Sequence, residues 1–166
     1  MNGDLYNYFF GDHRELEQAL DQAISAEVIE PVAFAKFRQG LLRHIALEEK
    51  ILLPALERIT RDRMKSVLDQ IHLDHGALAA LLVPPPTHGI VRAIRHILGL
   101  HNVLEESVDG LYNVCERLPA DTVADIVTKA KSAPPVRAQP HNGGPGVFEA
   151  TMRALQRAGY DPELMR

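Results

Sequence analysis

Two short segments of this chain occur twice, and that repetition constrains its fold more than any other feature. Asp12-His13-Arg14-Glu15-Leu16 returns 62 positions later as Asp74-His75-Gly76-Ala77-Leu78, with Leu20 matched by Leu82. His44-Ile45-Ala46-Leu47-Glu48-Glu49 returns 57 positions later as His101-Asn102-Val103-Leu104-Glu105-Glu106. Residues four apart share one face of a helix, so His44 with Glu48, and His101 with Glu105, each aim an imidazole and a carboxylate the same way. His13 and His75 fall on apolar stripes, where a chain building only a core would place leucine. Two similar helix hairpins around an approximate two-fold axis would point all six groups inward.

The stripes themselves read as four long helices. Residues 1–11 carry no sustained period but offer Tyr8, Phe9 and Phe10 for burial, which suggests an ordered arm. Asp12 reads as an N-cap with Glu15 completing a capping box, and Leu16, Leu20, Ala23 and Ile24 carry a first helix to about Val28. Pro31 suits the first turn of a second helix, striped by Phe34, Phe37, Leu41, Leu47, Ile51 and Leu52 and running to about Ile59. Pro54 lies inside it and predicts a kink against the carbonyl of Lys50. Met64, Leu68, Ile71, His75, Leu78 and Leu82 mark a third helix, stopped by Pro84, Pro85 and Pro86. Thr87 can cap a fourth, whose stripe Ile90, Ile94, Ile97, His101, Leu104, Val108 and Tyr112 passes through Gly99 and Gly110 to end near Arg117.

Short connectors make successive helices antiparallel neighbours, so the expected fold is all-α, an up-down-up-down four-helix bundle over residues 1–118. Residues 119–166 read as a short C-terminal appendage of the same single-domain unit. It comprises a helical stretch, the Pro/Gly-rich linker PPVRAQPHNGGPG, and a helix from Val147 to about Ala158. A chain of 166 residues suits one domain with a real core. Its net charge of −4 provides no general attraction to nucleic acid or anionic lipid. The lone Cys115 cannot form an internal disulfide and the N-terminus lacks a signal-peptide layout, so a reducing cytoplasm is the expected location. No apolar run approaches the roughly 20 residues of a membrane-spanning helix.

Burying four imidazoles and two carboxylates without partners is costly, and a cation removes that cost. Mixed nitrogen and oxygen donors suit iron, manganese or zinc, and carboxylates on facing helices can bridge two ions. Six ligands exceed the four of a closed zinc site, so two metals fit better than one. A single His/Glu pair at helical spacing is usually a surface salt bridge. Two pairs in the same surrounding letters, flanked by His13 and His75, turn the balance toward a metal site. His72, three residues before His75, is either a seventh ligand or a donor behind one. Glu49 and Glu106 are rotated by roughly 100° from the ligand glutamates and read as solvated or outer groups. His96 reads as a surface residue, His88 and His141 as loop residues, Tyr112 as core and Cys115 as a small buried hydrophobe. The chain contains neither HExxH nor Glu-x-x-His, so hydrolysis has no support in the sequence and ferritin-type di-iron ligation is not spelled out.

The segments DHREL, HIALEEKILLPAL, LDHGALAALL and HNVLEES, in that order, resemble the four helices of the hemerythrin-like family, or HHE cation-binding domain, over roughly residues 5 to 118. The resemblance implies a bundle holding a non-haem di-iron centre, with His13, His44, Glu48, His75, His101 and Glu105 as ligands and the two glutamates bridging. Oxygen-carrying hemerythrins place an aspartate five residues after the last ligand histidine, whereas Glu105 stands four after His101. Their third helix bears two histidines four apart, whereas His72 and His75 are three apart. These departures align the chain with the bacterial hemerythrin-like proteins. The implied partner is a small diatomic such as oxygen or nitric oxide, bound or sensed, or iron itself. A di-iron redox enzyme, or an interaction module with a structural metal and a protein partner at residues 119–166, are the other expectations.

Overall fold

The structure, a computed structural model, describes residues 3–24 and 27–166, the side chains of residues 60–62 excepted. It is all-α as expected, with no strand among the described residues. The helices are α1 (Asp4–Ala23), α2 (Pro31–Leu47), α3 (Leu53–Thr60), α4 (Lys65–Leu81), α5 (His88–Glu106), α6 (Leu111–Cys115), α7 (Ala120–Ser132) and α8 (Pro145–Arg157). A π-helical turn (Glu48–Leu52) joins α2 to α3, and 3-10 turns occupy Arg61–Met64 and Pro162–Met165. No helix among the described residues is long and apolar enough to cross a membrane.

Three expected boundaries are corrected. The first helix begins at Asp4, so residues 4–11 are helix rather than arm, and Asp12 is mid-helix, neither an N-cap nor part of a capping box. Phe9 and Leu5 stand about one and two turns before His13 and are fully buried, which extends the helical stripe back to the start. That helix stops at Ala23 rather than near Val28; Ile24 N–H bonds Asp21 O, and positions 25 and 26 lie outside the described residues. The fourth helix ends at Glu106 instead of near Arg117. Ser107 is extended, and Gly110 folds back so tightly that a Cβ there would sit 2.7 Å from Glu105 O. Val108, read as part of the stripe, is 79% exposed, and the short α6 returns Tyr112 to the interior.

Other signals are realised locally. Pro31 starts α2, and the Thr87 hydroxyl accepts from Ile90 N–H at 3.1 Å to cap α5. Pro54 can neither donate to the helix ladder nor sit comfortably over the preceding turn. The chain absorbs this by widening the turn before it, Leu53 N–H bonding Glu48 O five residues back. Leu52, Leu53 and Leu56 are all fully buried beyond that turn.

The apolar core is divided in two. One cluster includes Leu16, Leu20, Phe37, Leu41, Leu78 and Ile97; the other includes Leu5, Phe9, Leu53, Leu56, Ile71 and Tyr112. On α1 and α4 the chain runs from the second cluster to the first, and on α2 and α5 from the first to the second. On all four, histidines lie where the clusters meet. A thin polar layer is thus enclosed between two apolar masses, each fully buried leucine contributing about 1.5–3 kcal/mol.

Residues 119–166 enter both clusters. α7 supplies Ile126, Val127 and Ala130 to the second, while Leu155, Ala158 and Met165 join the first. The Pro/Gly-rich segment is pinned by Arg38, which donates through Nε to Leu82 O and through Nη1 to Gln139 O, and by Asn142 N–H to Val83 O.

Candidate metal centre

The polar layer holds His13 from α1, His44 from α2, Glu48 at the start of the π turn, His75 from α4, and His101 and Glu105 from α5, all buried. They form two interlocking groups. His13, His44, Glu48 and Glu105 have ligand atoms within 4.8 Å of one another, and so do Glu48, His75, His101 and Glu105. The two glutamates belong to both groups and divide their oxygens between them. Glu48 Oε1 lies 3.5 Å from His44 Nε2, and Glu48 Oε2 lies 3.1 Å from His75 Nε2. Glu105 Oε2 lies 3.3 Å from His13 Nε2, and Glu105 Oε1 lies 3.0 Å from His101 Nε2.

Each imidazole is held from behind by a carboxylate on its Nδ1. His13 meets Glu106 at 2.6 Å and His75 meets Glu49 at 2.6 Å. His44 meets Asp12 at 3.3 Å and His101 meets Asp74 at 3.3 Å. A carboxylate at Nδ1 makes that nitrogen the donor and turns the Nε2 lone pair inward, the arrangement that orients metal-ligating histidines. His13 Nε2 and His44 Nε2 are 2.9 Å apart. With both Nδ1 atoms committed, two lone pairs would face each other unless a proton or a cation lies between them.

The repeats extend to these outer groups. Asp12 and Asp74 precede the repeated histidines, and Glu49 and Glu106 follow the repeated ligand glutamates. Neither aspartate was picked out as a site residue by sequence reasoning, yet both stood in the repeated letters. His72 stands outside both groups: it is 38% exposed, and its ring contacts Glu49 at 2.8 Å and Glu57 at 3.3 Å.

Tyr112, expected to be plain core, reaches the centre of the layer. Its Oη donates to Glu48 Oε1 at 2.7 Å and is 3.1 Å from Glu105 Oε2 and 3.0 Å from His13 Nε2. All three contacts are to atoms of the first group. In the second group, Glu48 Oε2 and His75 Nε2, and Glu105 Oε1 facing His101, are buried and close to one another but not aligned for a hydrogen bond. Imidazole nitrogens and carboxylate oxygens are the donors that intermediate divalent metals take, and orphaned buried atoms are what a cation would satisfy. The two groups therefore fit metal ions.

The protonation pattern shows how strongly these groups act on one another. Burial alone would lower His44, but the Glu48 charge and the bond to Asp12 outweigh it and raise its pKa to about 10. His101 rises to about 10 as the Glu105 charge and Asp74 overcome burial in the same way. Burial and the Glu48 charge push Glu105 up, yet His101 and His13 bring it down to about 2. Burial and both carboxylates hold the Tyr112 phenol well above its ordinary value, so it remains a donor.

No family model matches the chain, and comparison with curated proteins and with solved structures finds no match either.

Proposed function

We propose that this chain is a hemerythrin-like protein, a four-helix bundle holding two non-haem iron ions that bind or sense oxygen or nitric oxide in the cytoplasm. The observation that carries this reading is the pair of buried His₂Glu₂ groups sharing Glu48 and Glu105. The alternating order in which α1, α2, α4 and α5 pass between the two apolar clusters supports the up-down-up-down arrangement. His13, His44, Glu48 and Glu105 would hold one ion, and His75, His101, Glu48 and Glu105 the other. When bound, iron supplies open coordination positions and a reversible change of oxidation state.

The protein's own residues do the rest. Asp12, Glu49, Asp74 and Glu106 fix the imidazole rings, so little reorganisation accompanies ion uptake. The clusters on either side exclude bulk water and charged solutes. The Tyr112 phenol holds a proton at Glu48 Oε1. That phenol favours a second reading, a di-iron redox enzyme, in which Tyr112 would deliver a proton to a reduced ligand. With an electron donor added, sustained consumption of oxidant beyond what two irons alone can reduce, lost in Tyr112→Phe, would mark the enzyme.

The deciding experiment is metal analysis with an absorption spectrum of protein produced with iron. Two irons per chain and the bands of a carboxylate-bridged diferric pair are expected, with spectral changes on exposure to nitric oxide or, after reduction, to oxygen. Protein that stays colourless and iron-free, or that takes only zinc or manganese, overturns the reading.

A further inference from the structure

The first apolar cluster leaves a small cavity against the polar layer. It is walled by Leu16, Leu41, Leu78 and Leu98, and the imidazoles of His13, His44 and His101 form its inner end. About 10 Å³ is open to the centre of a water-sized sphere, near the lower limit for holding one water. Such a space admits a diatomic and little more. Three of its lining residues, Glu17, Leu98 and Asn102, also line a surface depression of about 270 Å³ between α1 and α5. Gly99 lies in that depression, and the Arg95–Asp21 ion pair, at 2.6 Å, joins its two sides. Asn102 Oδ1 is buried in this shared wall with no hydrogen-bond partner. On the opposite side the layer is closed by Tyr112, stacked on Phe9 at 5.4 Å, both fully buried.

We propose that a neutral diatomic ligand reaches the metal centre between α1 and α5, through the Gly99 depression and past a gate formed by Leu98 and Asn102. The gate makes size and charge the criteria of selection. The Leu98 side chain separates depression from cavity, so its rotation is the step that admits the ligand. The unpartnered Asn102 Oδ1 is a hydrogen-bond acceptor on the wall, near Glu17, and holds a water at the threshold that the ligand displaces. A charged or polyatomic solute would have to lose its hydration against the leucine walls of the cavity, which is costly. The ligand's identity rests on the di-iron reading, but the route rests on the cavity alone.

The test uses nitric oxide and the iron-loaded full chain in a stopped-flow instrument. A Cβ at Gly99 would meet no atom within 4 Å, so Gly99→Phe adds bulk at the mouth without disturbing the fold. It should slow association roughly tenfold, while Leu98→Ala should speed it by a similar factor. Iron content and the absorption spectrum should stay as in the parent. Unchanged rates in both variants, with iron and spectrum intact, overturn the route. A second measurement needs no metal: crystals pressurised with xenon should show an atom between Leu41, Leu78 and Leu98. An empty cavity overturns the route whatever the iron content. Xenon there in a protein that takes no iron upholds the route and sinks the di-iron reading instead.

Discussion

Removing the Glu48 carboxylate should affect both ions, whereas removing His13 should affect one. Glu48 places one oxygen in each group, so Glu48→Ala leaves each with three of its four protein donors. His13 belongs to the first group alone. Equilibrium dialysis followed by elemental analysis should find two ions per chain in the parent, one in His13→Ala, and less than one in Glu48→Ala. Glu48→Gln keeps the side-chain volume but offers one oxygen, so it should hold at most one ion through that position. The metal-free chain supplies an independent magnitude. Glu48 is fully buried against His44, His75 and Tyr112, and breaking a buried pair by removing one partner costs about 3–5 kcal/mol. At roughly 2–4 °C per kcal/mol for a chain of this size, Glu48→Ala should melt about 6–20 °C lower in chelator-treated samples by calorimetry. Two ions retained in Glu48→Ala, or loss of both in His13→Ala, would refute the shared-carboxylate geometry.

Tyr112→Phe removes the hydroxyl that donates to Glu48 Oε1, and should cost the metal-free chain about 1–3 kcal/mol in urea unfolding with the ion count unchanged; an unaltered midpoint would contradict it. Tyr160→Phe removes one of the two donors to Asp74 Oδ1, the Tyr160 Oη at 2.9 Å, leaving Gln70 Nε2 at 2.8 Å, while Asp74 Oδ2 faces His101. It should weaken the ion held by His75 and His101 in a chelator competition, by less than the roughly 10–100-fold expected for loss of the Asp74 carboxylate itself, and leave the other unaffected. The metal-free chain should be most stable between about pH 4.5 and 6.5. The raised His44 and His101 contribute fully below 6.5 and lose that contribution as pH rises through about 10. The lowered Glu105 contributes fully above 4.5 and loses it as pH falls through about 2. Melting temperatures that climb steadily from pH 6 to 9 without metal would contradict the assignment.

The helices and the inward donors were legible because both follow from one periodicity. Apolar residues at helical spacing locate the buried face, and a histidine substituted into that face must enter the interior. The outer carboxylates were written in the same repeats, but for Glu49 and Glu106 the solvated and the outer readings both stayed open, because a rotation of roughly 100° on an isolated helix points to solvent. In the folded chain that direction is occupied by a neighbour, and Glu49 on the second expected helix reaches His75 on the third. His72 illustrates the converse. The residue 62 positions before it is Phe10, so it has no counterpart in the repeat, and it lies outside both groups. Tyr112 was not legible as a site residue. Its position depends on the break at Ser107 and on Gly110 packing against the end of α5, a tertiary event that no stripe records.

The repeats set equal donors in the two groups, while the unrepeated residues make the surroundings unequal. The position matching Tyr112 in the other hairpin is Ala55, so a phenol faces the first group and has no equivalent at the second. Asp12 behind His44 is 22% exposed beside Arg43, whereas Asp74 behind His101 is 1% exposed, sealed by Gln70 and Tyr160. A carboxylate open to water is stabilised by solvent as well as by its imidazole; one that is sealed depends on its protein partners alone. The second group is thereby tied to the C-terminal segment through Tyr160, Asp74 and His101, and the first to solvent through Asp12 and His44. A segment that reads in sequence as an appendage thus props one of two otherwise matched donor groups and not the other.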